Sequence, residues 1–243
     1  MSEAWPVHQM GMIDSTNTEA KRRVATGFHD QWIVAEQQTA GRGRQDHQWV
    51  SPPGNVYATA LFHEPGGLAV ALRTPFAAAL AVSDVVREHA PDADARLKWP
   101  NDVRINGRKV SGILVETGGT GADFWIAAGI GINVLAAPEN LSQPVTSLIE
   151  LGMAPGTRVD FVLASLRRAF ARRLAQARTG FSEIRQTWLA RAEALGQTVH
   201  IRAGDVVIEG IFEDLEQDGA LVLRLPDGTR RSIRAGEVEI RRS

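Results

Sequence analysis

The sequence predicts an α+β protein: a mixed β-sheet with helices packed on one face, followed by a small SH3-like β-barrel. Three observations lead there. Apolar runs of strand length follow one another directly in places and are separated by helical repeats in others, the pattern of a mixed sheet. Asn106-Gly107 sits between two such runs and supplies the positive φ values of a type I′ hairpin turn. From Gln197 onward the chain changes to short alternating runs broken by turns, as in a small barrel. The expected division is residues 1–196 and residues 197–243, with the boundary near Gly196.

Taken in order, Val7 to Ile13 reads as a weak strand. Thr16, followed three residues later by Glu19, reads as a capping box opening a helix to about Thr26. Trp32 to Glu36 and Asn55 to Phe62 are buried-type strands. Between them Gly41 to Trp49 is polar, hinged by glycine and bounded by Pro52-Pro53-Gly54, hence a long loop. Leu72 to His89 is an alanine-rich helix closed by Pro91, and Arg96 to Trp99 a short strand stopped by Pro100. Val103 to Ile105 and Lys109 to Glu116 are the arms of the hairpin, and Asp123 to Val134 is a strand after the Gly118 to Gly121 turn. Val159, Val162, Leu163, Leu166, Phe170 and Leu174 recur at helical spacing, so 158–178 is an amphipathic helix with Arg167, Arg168, Arg172 and Arg173 on a solvated face. Phe181 to Leu195 reads as one more helix, closed by Gly196. The runs Val199 to Ile201, Val206 to Phe212, Leu221 to Leu225, Ile233 and Val238 to Ile240 are the barrel strands.

Composition narrows the function. Lys plus Arg is 27 and Asp plus Glu is 28 among 243 residues, so the net charge of −1 gives no reason to expect DNA or RNA as a partner. There is no cysteine, which excludes disulfides, zinc–thiolate sites and thiol nucleophiles. The amino terminus lacks the pattern of a signal peptide, and Phe76 to Val82 and Trp125 to Val134 fall short of the roughly 20 apolar residues a membrane span needs. A cytoplasmic protein without membrane attachment is expected.

Three stretches can carry chemistry. In Gly41-Arg42-Gly43-Arg44 the glycines let backbone approach a ligand and the arginines can grip phosphate or carboxylate; a solvated flexible loop explains the same residues equally well. Lys98-Trp99-Pro100-Asn101-Asp102 puts a cation, an aromatic ring, an amide and a carboxylate at a strand end, suited to phosphate, Mg²⁺ or proton transfer, or else to a surface turn. Lys109 leads into an apolar strand, as a ligand-facing cation or a snorkelling one. Gly129-Ile130-Gly131-Ile132-Asn133-Val134 is not a dinucleotide fingerprint, because Val134 replaces the third glycine and no helix follows; no Walker A motif is present either.

Together with Asp14-Ser15-Thr16-Asn17, Glu36 to Arg44, Trp49 and Ser51 to Tyr57, these stretches resemble the biotin–protein ligase family, in order and spacing through residues 8–134. The resemblance implies a two-step reaction: biotin and Mg²⁺·ATP give biotinyl-5′-AMP, and biotin then passes to one lysine of a biotin carboxyl carrier domain. It implies that Ser15, Thr16, Asn17 and Gln38 bind biotin's ureido head and that Arg42, Gly43 and Arg44 form the adenylate loop, with Trp49 near the adenine or the biotin tail. Lys109 would reach the biotin carboxylate and bridging phosphate; Gly112, Gly129 and Gly131 would pass close to the ligand; and Asn133 would contact the nucleotide. Asp102 would meet the acceptor lysine and Lys98 would lie beside the phosphates, while no residue is assigned to Mg²⁺. Arg44, Lys109 and Asp102 are thus the expected catalytic residues. A lipoate–protein ligase-type acyltransferase and a non-catalytic biotin sensor are the alternatives. Some relatives dimerise edge to edge, which leaves a homodimer open. With the catalytic strand beginning at residue 7, no amino-terminal helix-turn-helix domain and no repressor activity are expected.

The chain departs from the family where glycine and arginine usually follow Arg44 and one variable residue: here stand Asp46 and His47. Asp46 brings negative charge toward a triphosphate, and His47 is cationic only when protonated. The departure is expected to weaken ATP binding or alter loop closure, so that the double substitution Asp46→Gly, His47→Arg changes the ATP KM or kcat; unchanged steady-state values of both would refute it.

Overall fold

The computed structural model describes residues 4–139, 141, 143–203 and 206–240, with backbone alone at Asp46 and Ala203. Its first part carries β1 (Val7–Ile13), α1 (Thr16–Thr26), β2 (Gln31–Gln38), β3 (Val56–His63), α2 (Gly67–His89), β4 (Ala95–Lys98), β5 (Asp102–Ile105), β6 (Arg108–Gly118) and β7 (Trp125–Ile132). Next come α3 (Val159–Thr179) and α4 (Ser182–Ala190), then β8 (Thr198–Ala203), β9 (Val206–Leu215), β10 (Leu221–Arg224), β11 (Arg230–Ile233) and β12 (Glu237–Glu239). The first seven strands form one sheet in the order β1-β2-β3-β7-β6-β5-β4. Only β1 and β2 pair in parallel; the other neighbours are antiparallel. The mixed sheet expected from the sequence is therefore present.

Strand alternation sorts the sheet into two faces. Trp32, Val34, Ala58, Ala60, Phe62, Ala128 and Ile130 join one large core with the apolar side of α2, from Val70 to Val86, and with Val162, Leu166 and Phe170 of α3. Ile33, Leu61 and Ala127 point the other way and form a small cluster with Ala20 of α1. The short helix α1 covers only part of that second face, and the remainder is free to line a cleft. Asn106 (φ 51°) and Gly107 (φ 74°) form the type I′ turn between β5 and β6.

Several local expectations need correction. The Thr16–Glu19 capping box does not form: Ser15 is the N-cap without a side-chain cap bond, and Glu19 pairs with Arg22 and Arg23. The Thr16 hydroxyl is drawn instead to Gln38 and Thr59. α2 begins at Gly67, not Leu72, and continues through Pro75. At 23 residues it is long and apolar enough to cross a bilayer, contrary to the length argument from sequence, but its apolar side is buried against the sheet. α4 stops at Ala190 rather than Leu195, because the segment after it bonds to the sheet edge: Leu97 N donates to Arg191 O (2.9 Å) and Glu193 N to Leu97 O (2.8 Å).

Of the α3 arginines, Arg168 and Arg172 stay on the solvated face as expected, whereas Arg173 is buried, and three of them pair with acids of α2. Arg172 and Arg173 reach Asp84 of α2 at 2.8 and 2.9 Å, Arg191 reaches it at 2.8 Å, and Arg168 bonds Glu88 at 2.9 Å. Burial alone would raise the Asp84 pKa, but Arg191, Arg173 and Arg172 outweigh it and hold the carboxyl below its ordinary range.

The second sheet runs β11-β10-β9-β8-β12, all antiparallel. Trp188 packs on Phe212 (6.3 Å between centroids), the Trp99 indole donates to Gly219 O (3.0 Å), and Arg185 donates to Leu215 O (2.7 Å). These contacts seat the second sheet against the first part of the chain.

Asp84→Asn leaves three guanidinium groups short of their shared charge and is expected to cost roughly 3 kcal/mol at pH 7. Asp84's folded pKa is depressed, so its contribution is complete above the unfolded value of about 3.9 and is lost as pH falls through the lower folded value. The gap in urea midpoint between wild type and variant should therefore narrow below about pH 4.

Candidate active site

Backbone pairing assembles the open face from residues far apart in sequence. Lys98 pairs with Asp102, Asp102 with Gly112, Gly112 with Gly131, and Gly131 with Tyr57, so one row crosses β4, β5, β6, β7 and β3. The adjacent row on the same face is Leu114, Gly129 and Thr59. The long β2–β3 loop arches over these rows, with Arg42 bridged to Gln48. Between loop and sheet lies a cleft of about 540 Å³, and every candidate site residue named from the sequence lines it.

Three glycines make the floor. A Cβ on Gly131 would come within 2.6 Å of Trp49 Cε2, and one on Gly112 within 2.9 Å of Trp49 Cζ3. A Cβ on Gly129 would collide with Asn17 Oδ1. The Trp49 ring and the Asn17 amide therefore lie on bare backbone, and any flat ligand in the cleft needs the same absence of side chains.

One end of the cleft is dense in hydrogen-bonding groups, most of them amides and hydroxyls. Thr59 Oγ1 lies 2.8 Å from Thr16 Oγ1 and 2.6 Å from Asn17 Oδ1, and all three residues are buried. Thr16 N donates to Gln38 Oε1 (2.8 Å), and Gln38 Nε2 donates to Ser51 Oγ (3.1 Å). Asn17 Nδ2 donates to Leu114 O (3.2 Å) and to Glu116 Oε2 (2.9 Å). Buried Ser15 completes this end.

The other end is charged. Lys109 Nζ lies 2.7 Å from Asp102 Oδ1 and 5.4 Å from the centre of the Trp49 ring. Lys98 Nζ lies 3.8 Å from Glu237 of β12. Burial lowers the pKa of both Lys98 and Arg44, and Asp102 and Glu237 oppose that shift. Three cations thus face two carboxylates in a partly desolvated space, an arrangement that an incoming anion would complete. Asn133 is buried beside this end: its Nδ2 donates to Thr146 O (3.0 Å), and its Oδ1 has no partner among the described residues.

The two arginines of the glycine-rich loop separate. Arg44 faces Asp102 and Glu237, whereas Arg42 donates to Glu116 Oε2 (2.9 Å) near Asn17. His47 is exposed, and the Asp46 side chain lies outside the described residues. Sequence reasoning missed Thr59, Tyr57, Glu116 and Glu237. The first three look like ordinary strand residues, and their meaning comes only from the face they occupy. Tyr57's pKa is pushed up to about 12 by burial, and its hydroxyl donates to Pro52 O (2.6 Å). Glu237 arrives from the second sheet, and no local pattern connects it with Lys98.

Residues 10–133 match the model of the biotin/lipoate A/B protein ligase family, and residues 194–241 match that of the biotin protein ligase C-terminal domain. The chain is 42% identical over 238 residues to the biotin–[acetyl-CoA-carboxylase] ligase of Paracoccus denitrificans, covering 94% of this chain and 98% of that one. It is 33% identical over 237 residues to the enzyme of the same name from Mycobacterium tuberculosis, covering 92% and 85%. In structure it is similar to the biotin protein ligase of Aquifex aeolicus in complex with biotin and ATP, with a TM-score of 0.80 and 28% identity over 98% of this chain and 99% of that one.

Thr59→Val removes the hydroxyl that lies between Thr16 and Asn17 and leaves buried polar atoms short of a partner. A stability loss of about 1–3 kcal/mol is expected, read as a fall in denaturation midpoint.

Proposed function

The chain belongs to the biotin/lipoate A/B protein ligase family and is a biotin–[acetyl-CoA-carboxylase] ligase; we propose that its cleft holds biotin's head at the Asn17 end and the ATP phosphates at the Lys98 end. The observation that carries this reading is the polarity of one continuous cleft, rich in amides and hydroxyls at one end and in half-buried cations at the other. A ureido group needs both donors and acceptors, which Ser15, Thr16, Asn17 and Gln38 offer. A triphosphate needs cations, which Arg44, Lys98 and Lys109 offer.

In the first step a biotin carboxylate oxygen attacks the α-phosphorus of ATP; the new P–O bond forms as the bond to pyrophosphate breaks. Two anions must meet, and the barrier is largely their repulsion. Lys109 stands where carboxylate and α-phosphate would come together, held by Asp102 and lying over Trp49. Arg44 and Lys98 offset the charge that moves onto the leaving pyrophosphate. Trp49 and the backbone of Arg42 and Gly43 shield the acyl-adenylate from water, while Asn133 presents its free Oδ1 to the nucleotide.

In the second step the amine of the carrier domain's lysine attacks the acyl carbon and AMP leaves. The amine enters as an ammonium and sheds one proton before attack and a second as the amide forms; the Asp102 carboxylate draws the ammonium in and can pass these protons on to water. Mg²⁺ comes with ATP and neutralises phosphate charge when bound. Among the described residues no group of three His, Cys, Asp or Glu side chains gathers to hold a metal by itself, and Mg²⁺ at nucleotide sites is held largely by the phosphates with one or two carboxylates. We further propose that residues 197–243 form a second domain with its boundary near Gly196, that the enzyme works in the cytoplasm, and that it acts without a DNA partner.

Transfer of labelled biotin to a carrier domain should require ATP and should not be replaced by lipoate; labelling with lipoate, or biotin binding without pyrophosphate release, would overturn the assignment. Lys109→Gln is expected to slow pyrophosphate release by about 100-fold or more.

A further inference from the structure

Glu116 takes no part in the reaction as derived, yet three side chains converge on it. Its Oε2 accepts from Asn17 Nδ2 and from Arg42, each at 2.9 Å, while Lys21 pairs with Oε1. Asn17 and Lys21 belong to α1, and Arg42 belongs to the loop on the other side of the cleft. The Glu116 side chain is 19% exposed and that of Arg42 37%, so their bond is partly withdrawn from solvent. Burial alone would raise the Glu116 pKa, but Lys21, Asn17 and Arg42 outweigh it and keep the carboxylate ionised.

We propose that Glu116 is a positioning residue that latches the 41–49 loop over the head-group end of the cleft by holding Asn17 and Arg42 on one carboxylate oxygen. It does two things through that atom. It fixes the Asn17 amide, whose Nδ2 is taken by Glu116 and Leu114 O, so that Oδ1 is left toward Thr59 and the Gly129 floor. It also tethers the loop at Arg42, two residues before Arg44. The two arginines then divide the work: the Arg42 side chain anchors the loop and the Arg44 side chain serves the phosphates. Occupation of the head-group end and closure of the loop become linked through one charge. This inference rests on the assignment of the Asn17 end to biotin.

The test is a double-mutant cycle of Glu116→Gln, Arg42→Gln and the double variant in the full chain, with Lys21→Met as control. Glutamine at 116 keeps an acceptor for Asn17 and loses only the charge. Loop opening is read as the rate of trypsin cleavage after Arg44, a site present in all these proteins, and head-group binding as the biotin Kd. Each single variant should raise both by about three- to tenfold, the double variant should go no further, and Lys21→Met should stay within about twofold of wild type. Effects that multiply in the double variant, singles within about twofold of wild type, or an equal opening by Lys21→Met would overturn the latch. Should Glu116→Gln fail to fold, Arg42→Gln removes the same bond from an exposed residue and decides alone. Pyrophosphate release by the wild type in the presence of biotin and Mg²⁺·ATP separates the two readings: its absence would sink the ligase assignment, while trypsin cleavage would still decide the latch.

Discussion

The pairing of β6 with β7 is the constraint on which the rest depends. Ile113 and Ile130 lie on the face sealed by α2, while Gly112, Gly129 and Gly131 lie on the face that α1 leaves open. A one-residue slip would send isoleucines into the cleft and bury the glycines in the core, losing both the apolar burial and the floor. The stability of the core and the geometry of the cleft are therefore set by the same ladder of backbone hydrogen bonds. Lys98 and Asp102 reach the cleft because they continue that ladder across β4 and β5.

The polarity of the cleft follows from where water is excluded. At the Asn17 end the polar groups satisfy one another, so that burial costs little. At the Lys98 end burial lowers the pKa of Lys98 and Arg44 more than Asp102 and Glu237 raise it, so the cations there are only partly compensated. The second sheet takes part in this balance. Packing of Trp188 on Phe212 and the bond from Trp99 to Gly219 bring β12 close enough for Glu237 to face Lys98. A contact that looks purely structural thus adjusts the charge of the cationic end.

Much of the architecture was legible from periodicity. The strands at 7–13, 56–63 and 125–132, the type I′ hairpin and the change of pattern after residue 197 all express backbone preferences local to a few residues. The misread elements were those in which a tertiary partner outbid a local signal. Thr16 gave up its capping role for Thr59 and Gln38, the chain after Ala190 took hydrogen bonds from the sheet edge, and Arg173 of α3 was buried against Asp84 across a helix pair.

The class of fold, the glycine-rich loop and the order of the cationic and amide residues along the chain are readable from local composition and spacing, because each is a property of neighbouring residues. Only the tertiary structure decided that these residues share one cleft, that Arg42 and Arg44 point to different ends of it, and that Thr59, Glu116 and Glu237 belong there. Sheet register and inter-sheet packing bring together groups separated by tens to hundreds of residues, and no local periodicity encodes which distant carboxylate will meet which cation.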